Sequence, residues 1–128
     1  MTNSLQIIAD ALTSGTKKYE FVPGDTVKTT YGKTLTRIRA LVNLPLHNVK
    51  IGDLGGYIES EKNLSHEGDS WVSGKAHVYN DAQVLVDAIV FGNARVLGTA
   101  GVYGKTRIHG DEHVLGKTEV KSIESISK

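Results

Sequence analysis

The chain lacks cysteine altogether, and this absence excludes several kinds of chemistry. Disulfide bonds, thiolate catalysis and cysteine-ligated zinc are ruled out, and the composition fits a reducing compartment. An excess of one charge is also missing, because 15 basic and 14 acidic residues give a formal net charge of +1. We therefore expect neither a nucleic-acid polymer nor an anionic membrane as a partner. No apolar run approaches the length of a membrane-spanning helix or of a signal peptide, so we predict a soluble, cytoplasmic protein.

Proline is scarce (2 residues), whereas glycine is plentiful (14) and is concentrated in the second half at fixed spacing. The glycines belong to a repeat of six residues. Its aliphatic position is filled in every repeat, by Val72, Val78, Val84, Val90, Val96, Val102, Ile108, Val114, Val120 and Ile126. Two positions before each aliphatic residue from Val72 to Val120 stands a small residue, in Ser70, Ala76, Ala82, Ala88, Ala94, Ala100, Thr106 and Thr118, with Glu112 as the exception. Two positions after each aliphatic residue from Val72 to Val114 stands glycine, in Gly74, Gly92, Gly98, Gly104, Gly110 and Gly116, with Asn80 and Val86 as the exceptions.

A period of six is incompatible with an α-helix but fits an extended chain that turns once per repeat. The aliphatic and the small residue are two positions apart, so both face the interior. Glycine, with Asn or Asp beside it, takes the positive φ or the tight geometry of each corner. Three repeats close a triangular coil, and successive coils hydrogen-bond as in a parallel sheet. A chance run of short antiparallel hairpins is the alternative, but it does not explain an unbroken six-residue register.

The unit Ala-x-Val-x-Gly-Asx resembles that of the hexapeptide-repeat proteins, although glycine here follows the aliphatic residue by two positions instead of directly. The resemblance implies a parallel, left-handed β-helix that assembles as a homotrimer. A stack of about three coils exposes unpaired strands and apolar interior at its ends, so we expect caps. We predict a mainly β protein in three parts: an N-terminal helical extension (residues 1–16), a small β-rich α/β cap (17–63), and the β-helix with a C-terminal cap (64–128).

Shorter patterns occupy the first half of the chain. Residues 4–12 have helical spacing behind Asn3 or Ser4 as the N-cap. Residues 18–22 and 34–42 alternate as strands, the first closed by Pro23, Gly24 and Asp25. Residues 51–59 are predicted as a glycine-rich turn that enters a further strand, with Leu64 and Trp71 at the junction with the β-helix. The glycine spacing of this turn matches neither a P-loop nor a dinucleotide fingerprint, which favours a structural role.

The same half carries a second resemblance. The segments KYEF (18–21), TRIRAL (36–41), GDLGGYIE (52–59), NLS (63–65) and WV (71–72) are similar, in this order, to a family of uncharacterised phage and prophage proteins. In that family a like leader precedes Gly-Asn/Asp-Ala-x-Val repeats, and the likeness runs from about residue 18 to 120. The family has no established chemistry. Its genomic setting implies an accessory protein that acts on the host cell and not a part of the virion.

Two sets of cations are candidate anion ligands. Arg37 and Arg39 lie on one face of a predicted strand, and paired guanidinium groups suit phosphate or carboxylate; a solvated polar face is the alternative. His77, Arg95 and His113 are 18 residues apart, so they should stack on successive coils. Because the central arginine repels a metal ion, this ladder predicts an anion-binding stripe and no metal site. Three unrelated surface residues are the alternative explanation.

The outward position directly after each interior aliphatic residue is mostly apolar, in Tyr79, Leu85, Phe91, Leu97, Tyr103, His109 and Leu115. Since a monomer rarely exposes so much apolar surface, this column predicts subunit interfaces. Tyr79, Leu97 and Leu115 should share one face, and Leu85 and Tyr103 a second. Pockets for a planar ligand at these seams, with Tyr79 among the ligands, are a further expectation.

These patterns favour a binding protein without catalytic residues, metal or cofactor. We expect an oligomer of phage origin that sequesters a host-made, nucleotide-type defence signal at its subunit interfaces. One alternative is a module that inhibits or scaffolds a host protein. Another is a hexapeptide-repeat acyltransferase, with His77, His109 or His113 as general base; however, no loop insertion for an acyl-CoA tunnel interrupts the repeats.

Overall fold

The structure, a computed structural model, describes residues 17–116 and the backbone of residues 119–120. It contains twelve strands in these parts: β1 Tyr19–Lys28, β2 Thr34–Ala40, β3 Leu54–Ile58, β4 Trp71–Val72, β5 His77–Val78, β6 Gln83–Val84, β7 Ile89–Val90, β8 Arg95–Val96, β9 Gly101–Val102, β10 Arg107–Ile108, β11 His113–Val114 and β12 Glu119–Val120. Two 3-10 helices, Pro45–His47 and Glu61–Asn63, flank β3. The predicted helix 4–12, the predicted C-terminal cap and Ile126 lie outside the described residues. No helix within the described part is long and apolar enough to cross a membrane.

The second half is a parallel β-helix of about three coils, as the repeat predicts. Its short strands form three faces. Face one stacks β3, β5, β8 and β11, face two stacks β6, β9 and β12, and face three stacks β4, β7 and β10. Pairing within each face is parallel, and from β4 onwards residues 18 apart are partners, as His77 with Arg95 and Arg95 with His113. The predicted coil of three six-residue repeats is therefore confirmed.

The interior contains the two predicted columns. The aliphatic residues from Val72 to Val114 are at most 3% exposed. The small residues from Ser70 to Thr106 are at most 1% exposed, so each leaves room for the branched side chains beside it. The corners have positive φ at all the predicted glycines and also at the two exceptions, Asn80 (60°) and Val86 (65°). At Gly92, a Cβ atom would lie 2.9 Å from the amide nitrogen of Gly110, so close stacking of the corners also requires glycine there.

The leader extends face one. Strands β1 and β2 form an antiparallel hairpin, and β2 pairs with β3, so that the sheet runs in the order β1-β2-β3-β5-β8-β11. The hairpin thereby covers the edge that β3 would otherwise expose. The prediction that β1 closes at Pro23 is wrong: the strand continues to Lys28, because a shift of register between Phe21 and Thr26 absorbs the proline and glycine.

The parallel stack begins at β3, inside the segment predicted as the cap. Tyr57 pairs with His77 and Ile58 with Val78 in parallel register. Gly55 and Gly56 lie within β3 and not in a turn. A Cβ atom at Gly55 would stand 2.6 Å from the carbonyl oxygen of Val72, so the first coil is packed too tightly for a side chain at this point.

The first coil is longer than the others. Ile58 and Leu64 are six residues apart, but Leu64 and Val72 are eight apart, although all three are buried interior residues. The additional length places His66 against the leader, where its ring stacks on Tyr19 at 4.2 Å and its Nδ1 accepts the backbone N–H of Lys18 at 2.9 Å. The Tyr19 hydroxyl donates to the carbonyl oxygen of Leu64 at 2.6 Å. These contacts fasten the leader to the end of the β-helix.

Candidate ligand-binding faces

The predicted ladder is present on face one. His77, Arg95 and His113, called here the histidine–arginine column, are direct partners in the parallel register. Each stands immediately before a buried valine and therefore points outward. His77 is half-buried, whereas Arg95 and His113 are exposed. The 18-residue spacing has thus brought these three predicted ligand residues together.

The leader continues the same row. Tyr57 is the register partner of His77, and Arg37 is the partner of Tyr57. The rings of Tyr57 and His77 meet edge to face at 5.9 Å, and the Arg37 guanidinium lies 4.6 Å from the centre of the Tyr57 ring. One row of outward side chains therefore crosses five strands from the hairpin to the last described coil.

The imidazole of His77 is held in its neutral form by its surroundings. Burial lowers the pKa of His77 below its ordinary value, and the positive charge of Arg95 lowers it further. At neutral pH this ring can donate one hydrogen bond and accept another. An anion bound between His77 and Arg95 would offset both effects and favour protonation of the ring.

A second column lines the neighbouring corner. Lys75, Asn93 and Asp111 are also 18 residues apart, and Asn93 Nδ2 donates to Asp111 Oδ1 at 3.3 Å. Together with the histidine–arginine column they line an open groove of about 540 Å³. Because the residues between the two columns point inward, backbone forms the floor. The groove carries the Lys75 ammonium at one end, the Arg95 guanidinium on its central coil and the Asp111 carboxylate at the other end, so an anion is favoured between Lys75 and Arg95.

Arg37 and Arg39 have different surroundings from this groove. Arg37 donates from Nη2 to the Tyr57 hydroxyl at 2.7 Å, and its Nε lies 3.4 Å from Oδ2 of Asp25. Arg39 Nη2 lies 2.6 Å from Oε2 of Glu20, and its Nε donates to the same oxygen at 2.9 Å. Each guanidinium is therefore already paired with a carboxylate of β1.

The predicted apolar columns are aligned as expected. Tyr79, Leu97 and Leu115, called the leucine column, follow β5, β8 and β11 at 18-residue intervals on the outside of face one. Leu85 and Tyr103, called the tyrosine column, follow β6 and β9 on face two, and the Tyr103 ring lies over Gly101. These side chains are half-buried, except that Leu115 is 51% exposed. Phe91 lies apart from both columns, on face three, where its ring stacks on His109 at 5.4 Å.

The five histidines, all among the described residues, lie in different surroundings. Within the described residues no group of three or more histidine and carboxylate side chains is placed to hold a metal ion. His77 and His113 are separated by the Arg95 coil, and His109 stacks on Phe91 on another face. His47 is held by the carbonyl oxygen of Asp87, 2.9 Å from its Nε2, and His66 by the leader.

Some groove residues were not singled out in the sequence. Lys75, Asn93 and Asp111 repeat at the same 18-residue interval as the histidine–arginine column, so a search of every outward register would have found them. Tyr57 would not have been found, because it precedes its partner His77 by 20 residues, the length of the longer first coil.

No protein-family model matches the chain, and a search of curated proteins finds no match.

Proposed function

We propose that the chain is a non-catalytic binding protein that takes an anionic, nucleotide-type ligand in the groove of face one, between Lys75 and Arg95. The alignment of His77, Arg95 and His113 in one outward column is the observation that carries the proposal. In the phage context that the leader implies, the ligand is a signal that the host makes in its cytoplasm for defence against phage. Binding without turnover would remove this signal from its receptor.

The charges of the groove support this assignment. No carboxylate of the described residues forms an ion pair with Lys75 or Arg95, in contrast to the pairing of Arg37 and Arg39. An unpaired guanidinium beside a neutral imidazole offers several N–H donors to phosphate oxygens. The nearby leucine column would complete the site if a second copy of the chain covers it, which agrees with the proposed homotrimer.

Native mass spectrometry of the purified protein, alone and with ADP, cyclic di-GMP or acetyl-CoA, tests the proposal. We expect a stable oligomer that gains a nucleotide in fixed ratio to the chain. Arg95→Gln should weaken that binding at least tenfold, which is about 1.4 kcal/mol. Lys105→Gln removes the same charge at another corner of the β-helix and should leave the affinity within twofold.

Two results would reject this function. If no nucleotide adduct forms at millimolar ligand, the chain does not bind a nucleotide-type ligand. If Arg95→Gln and the parent chain bind with equal affinity, the ligand does not bind at Arg95. Consumption of acetyl-CoA that is lost in His77→Ala, His109→Ala or His113→Ala would instead establish the acyltransferase alternative.

A protein partner is a second candidate, and the leader favours it. Leu41, Ile51 and Leu54 are 37%, 63% and 50% exposed. Their segments are joined by the hydrogen bonds from Ala40 N–H to Asp53 and from Gly52 N–H to Ala40, so they form one apolar patch beside the hairpin. A host protein that co-purifies with the parent chain but not with Ile51→Glu, while Arg95→Gln still captures it, would support this function.

A further inference from the structure

A separate open pocket, called here the cavity, lies on face three, away from the groove proposed above. Its volume is about 380 Å³, and its lining comprises Leu46, His47, Asn48, Ser73, Ile89, Phe91 and Arg107. The loop around the 3-10 helix Pro45–His47 forms one wall, because His47 is fastened to the carbonyl oxygen of Asp87 at 2.9 Å. The strands of face three form the other wall. The sequence pattern alone singled out only Phe91 among these residues, as part of an interface.

The cavity exists because the side chains in one outward column differ in size from coil to coil. Ser73, Phe91 and His109 occupy equivalent outward positions on successive coils, directly after Val72, Val90 and Ile108. Phe91 and His109 fill the column with stacked rings, but Ser73 leaves the space on the first coil open. A planar ring that enters this space would stand beside the ring of Phe91, in the position that an aromatic side chain would take at residue 73.

A cation stands at the same place. The Arg107 guanidinium lies 5.1 Å from the centre of the Phe91 ring and also lines the cavity. Among the described residues no carboxylate forms an ion pair with it. A guanidinium that is fixed on an aromatic face retains N–H donors at its edge, which suit a phosphate or carboxylate group.

The second polar group is an imidazole in a defined tautomer. A carbonyl oxygen can only accept, so the contact with Asp87 requires the proton of His47 on Nε2. Burial lowers the pKa of His47, and the nearby charge of Arg107 contributes in the same direction against Asp69 and Asp87, which raise it. The ring is therefore neutral at pH 7, and its Nδ1 is an acceptor for an amino group.

From these four features we infer a second binding site, independent of the groove on face one, for a planar amino-substituted heteroaromatic ring that carries an anionic group. The ring lies beside Phe91 in the space above Ser73, the anion meets Arg107, and an exocyclic amine meets the acceptor of His47. A purine nucleoside monophosphate has all three parts, with a volume that the cavity accommodates.

Calorimetric titration with AMP, adenosine and ribose 5-phosphate tests this site. We expect AMP to bind more tightly than either fragment, because only AMP uses both the ring space and Arg107. Arg107→Gln should weaken AMP about tenfold and leave adenosine within twofold. Ser73→Phe, which fills the space with a side chain that the column already tolerates at residue 91, should abolish binding of both AMP and adenosine at the cavity.

The controls separate this site from the groove. Arg95→Gln should leave AMP binding at the cavity unchanged, whereas it is the damaging change for the ligand of face one. Phe91→Leu supplies a second test if Ser73→Phe fails to fold, and it should lower the affinity for adenosine more than that for ribose 5-phosphate. Failure of AMP to bind at millimolar concentration, or full AMP affinity in a folded Ser73→Phe variant, would overturn the inference.

Discussion

Val86 has a backbone conformation that is unfavourable for its branched side chain. It occupies a corner that the repeat normally gives to glycine, and its φ is 65°, a conformation that β-branched residues rarely adopt. Its side chain is 50% exposed, so little apolar burial offsets the strain. We predict that Val86→Gly raises the free energy of unfolding by about 1 kcal/mol, since relief of the strain exceeds the entropic cost of glycine. Urea denaturation measures this change.

Asn80 provides the matched control. It also has a positive φ, of 60°, but asparagine tolerates this region, and its Oδ1 accepts the N–H of Gly98 at 3.2 Å. Asn80→Gly should therefore leave stability unchanged or lower it. If Val86→Gly is destabilising, the valine side chain must make contacts outside the single chain, and the tyrosine column beside it is where a subunit would be sought.

Lys18 is a second residue in an unfavourable environment, because its charged ammonium group is buried. It is 2% exposed, and its ammonium donates to the carbonyl oxygen and hydroxyl of Ser70 at 2.6 and 3.0 Å. Burial lowers the pKa of Lys18 to about 8, although Asp69 and Asp87 act in the opposite direction. In the unfolded chain the same group titrates near its ordinary value of 10.5. Between these values the unfolded state binds more protons than the folded state.

Stability should therefore rise with pH from about 8 towards 10, by about 1–3 kcal/mol. Above about pH 10 the trend should reverse, because burial raises the pKa of Tyr19 and the unfolded tyrosine ionises first. Chemical denaturation at pH 7, 8, 9 and 10 measures the rise, and subtraction of the same series for Lys18→Met isolates the contribution of Lys18. Equal pH dependence in the two proteins would show that the ammonium is not desolvated.

At the scale of the coil, Glu112 departs from the pattern. It holds the inward position that Ala94 and Thr106 fill with buried small side chains. Both of its carboxylate oxygens are buried and have no hydrogen-bond partner among the described residues. We predict that Glu112→Ala raises the free energy of unfolding by about 1–3 kcal/mol, because an unsatisfied buried polar group is removed. Thermal unfolding measures the change in stability. Glu67→Ala, at an exposed glutamate, is the control and should change the stability little. A loss of stability in Glu112→Ala would mean that the carboxylate has a stabilising partner.

The strands could be predicted correctly from the sequence only where the six-residue spacing repeats without interruption. Ten aliphatic residues in one register require each coil to close after 18 residues, and this alone places Val78 beneath Val96 and His77 beneath Arg95. The first coil was missed because Leu64 and Val72 are eight residues apart. Strand β1 was cut short because proline and glycine usually end a strand, whereas here the hairpin register absorbs them.

The two candidate sites also differ in how far they could be predicted from the sequence. The groove on face one could be predicted in part, because equal spacing along the chain becomes proximity across coils. The pairing of Arg37 with Asp25 and of Arg39 with Glu20 depends on hairpin register and could not. Neither could the cavity on face three, since it requires the 45–48 loop to fold back onto β7, a contact that no periodic pattern encodes.

At the scale of the whole molecule, the apolar columns bear on assembly. A cyclic trimer needs heterologous contacts, in which one surface of each chain meets a different surface of the next. The leucine column on face one and the tyrosine column on face two are two different apolar surfaces that meet this requirement. We therefore predict that sedimentation equilibrium gives three times the chain mass of 13.8 kDa, and that Leu97→Glu and Leu85→Glu each reduce it to the monomer.

A mixture of the two variants gives the sharper result. Each variant retains the surface that the other has lost, so one sound interface forms between them, and a heterodimer that cannot close into a ring should result. Tyr31→Glu, at the exposed tip of the hairpin, introduces the same charge elsewhere and should remain trimeric. If the mixture stays monomeric while each variant alone is folded, the two columns do not meet each other, and contact of like columns around a two-fold axis becomes the arrangement to test.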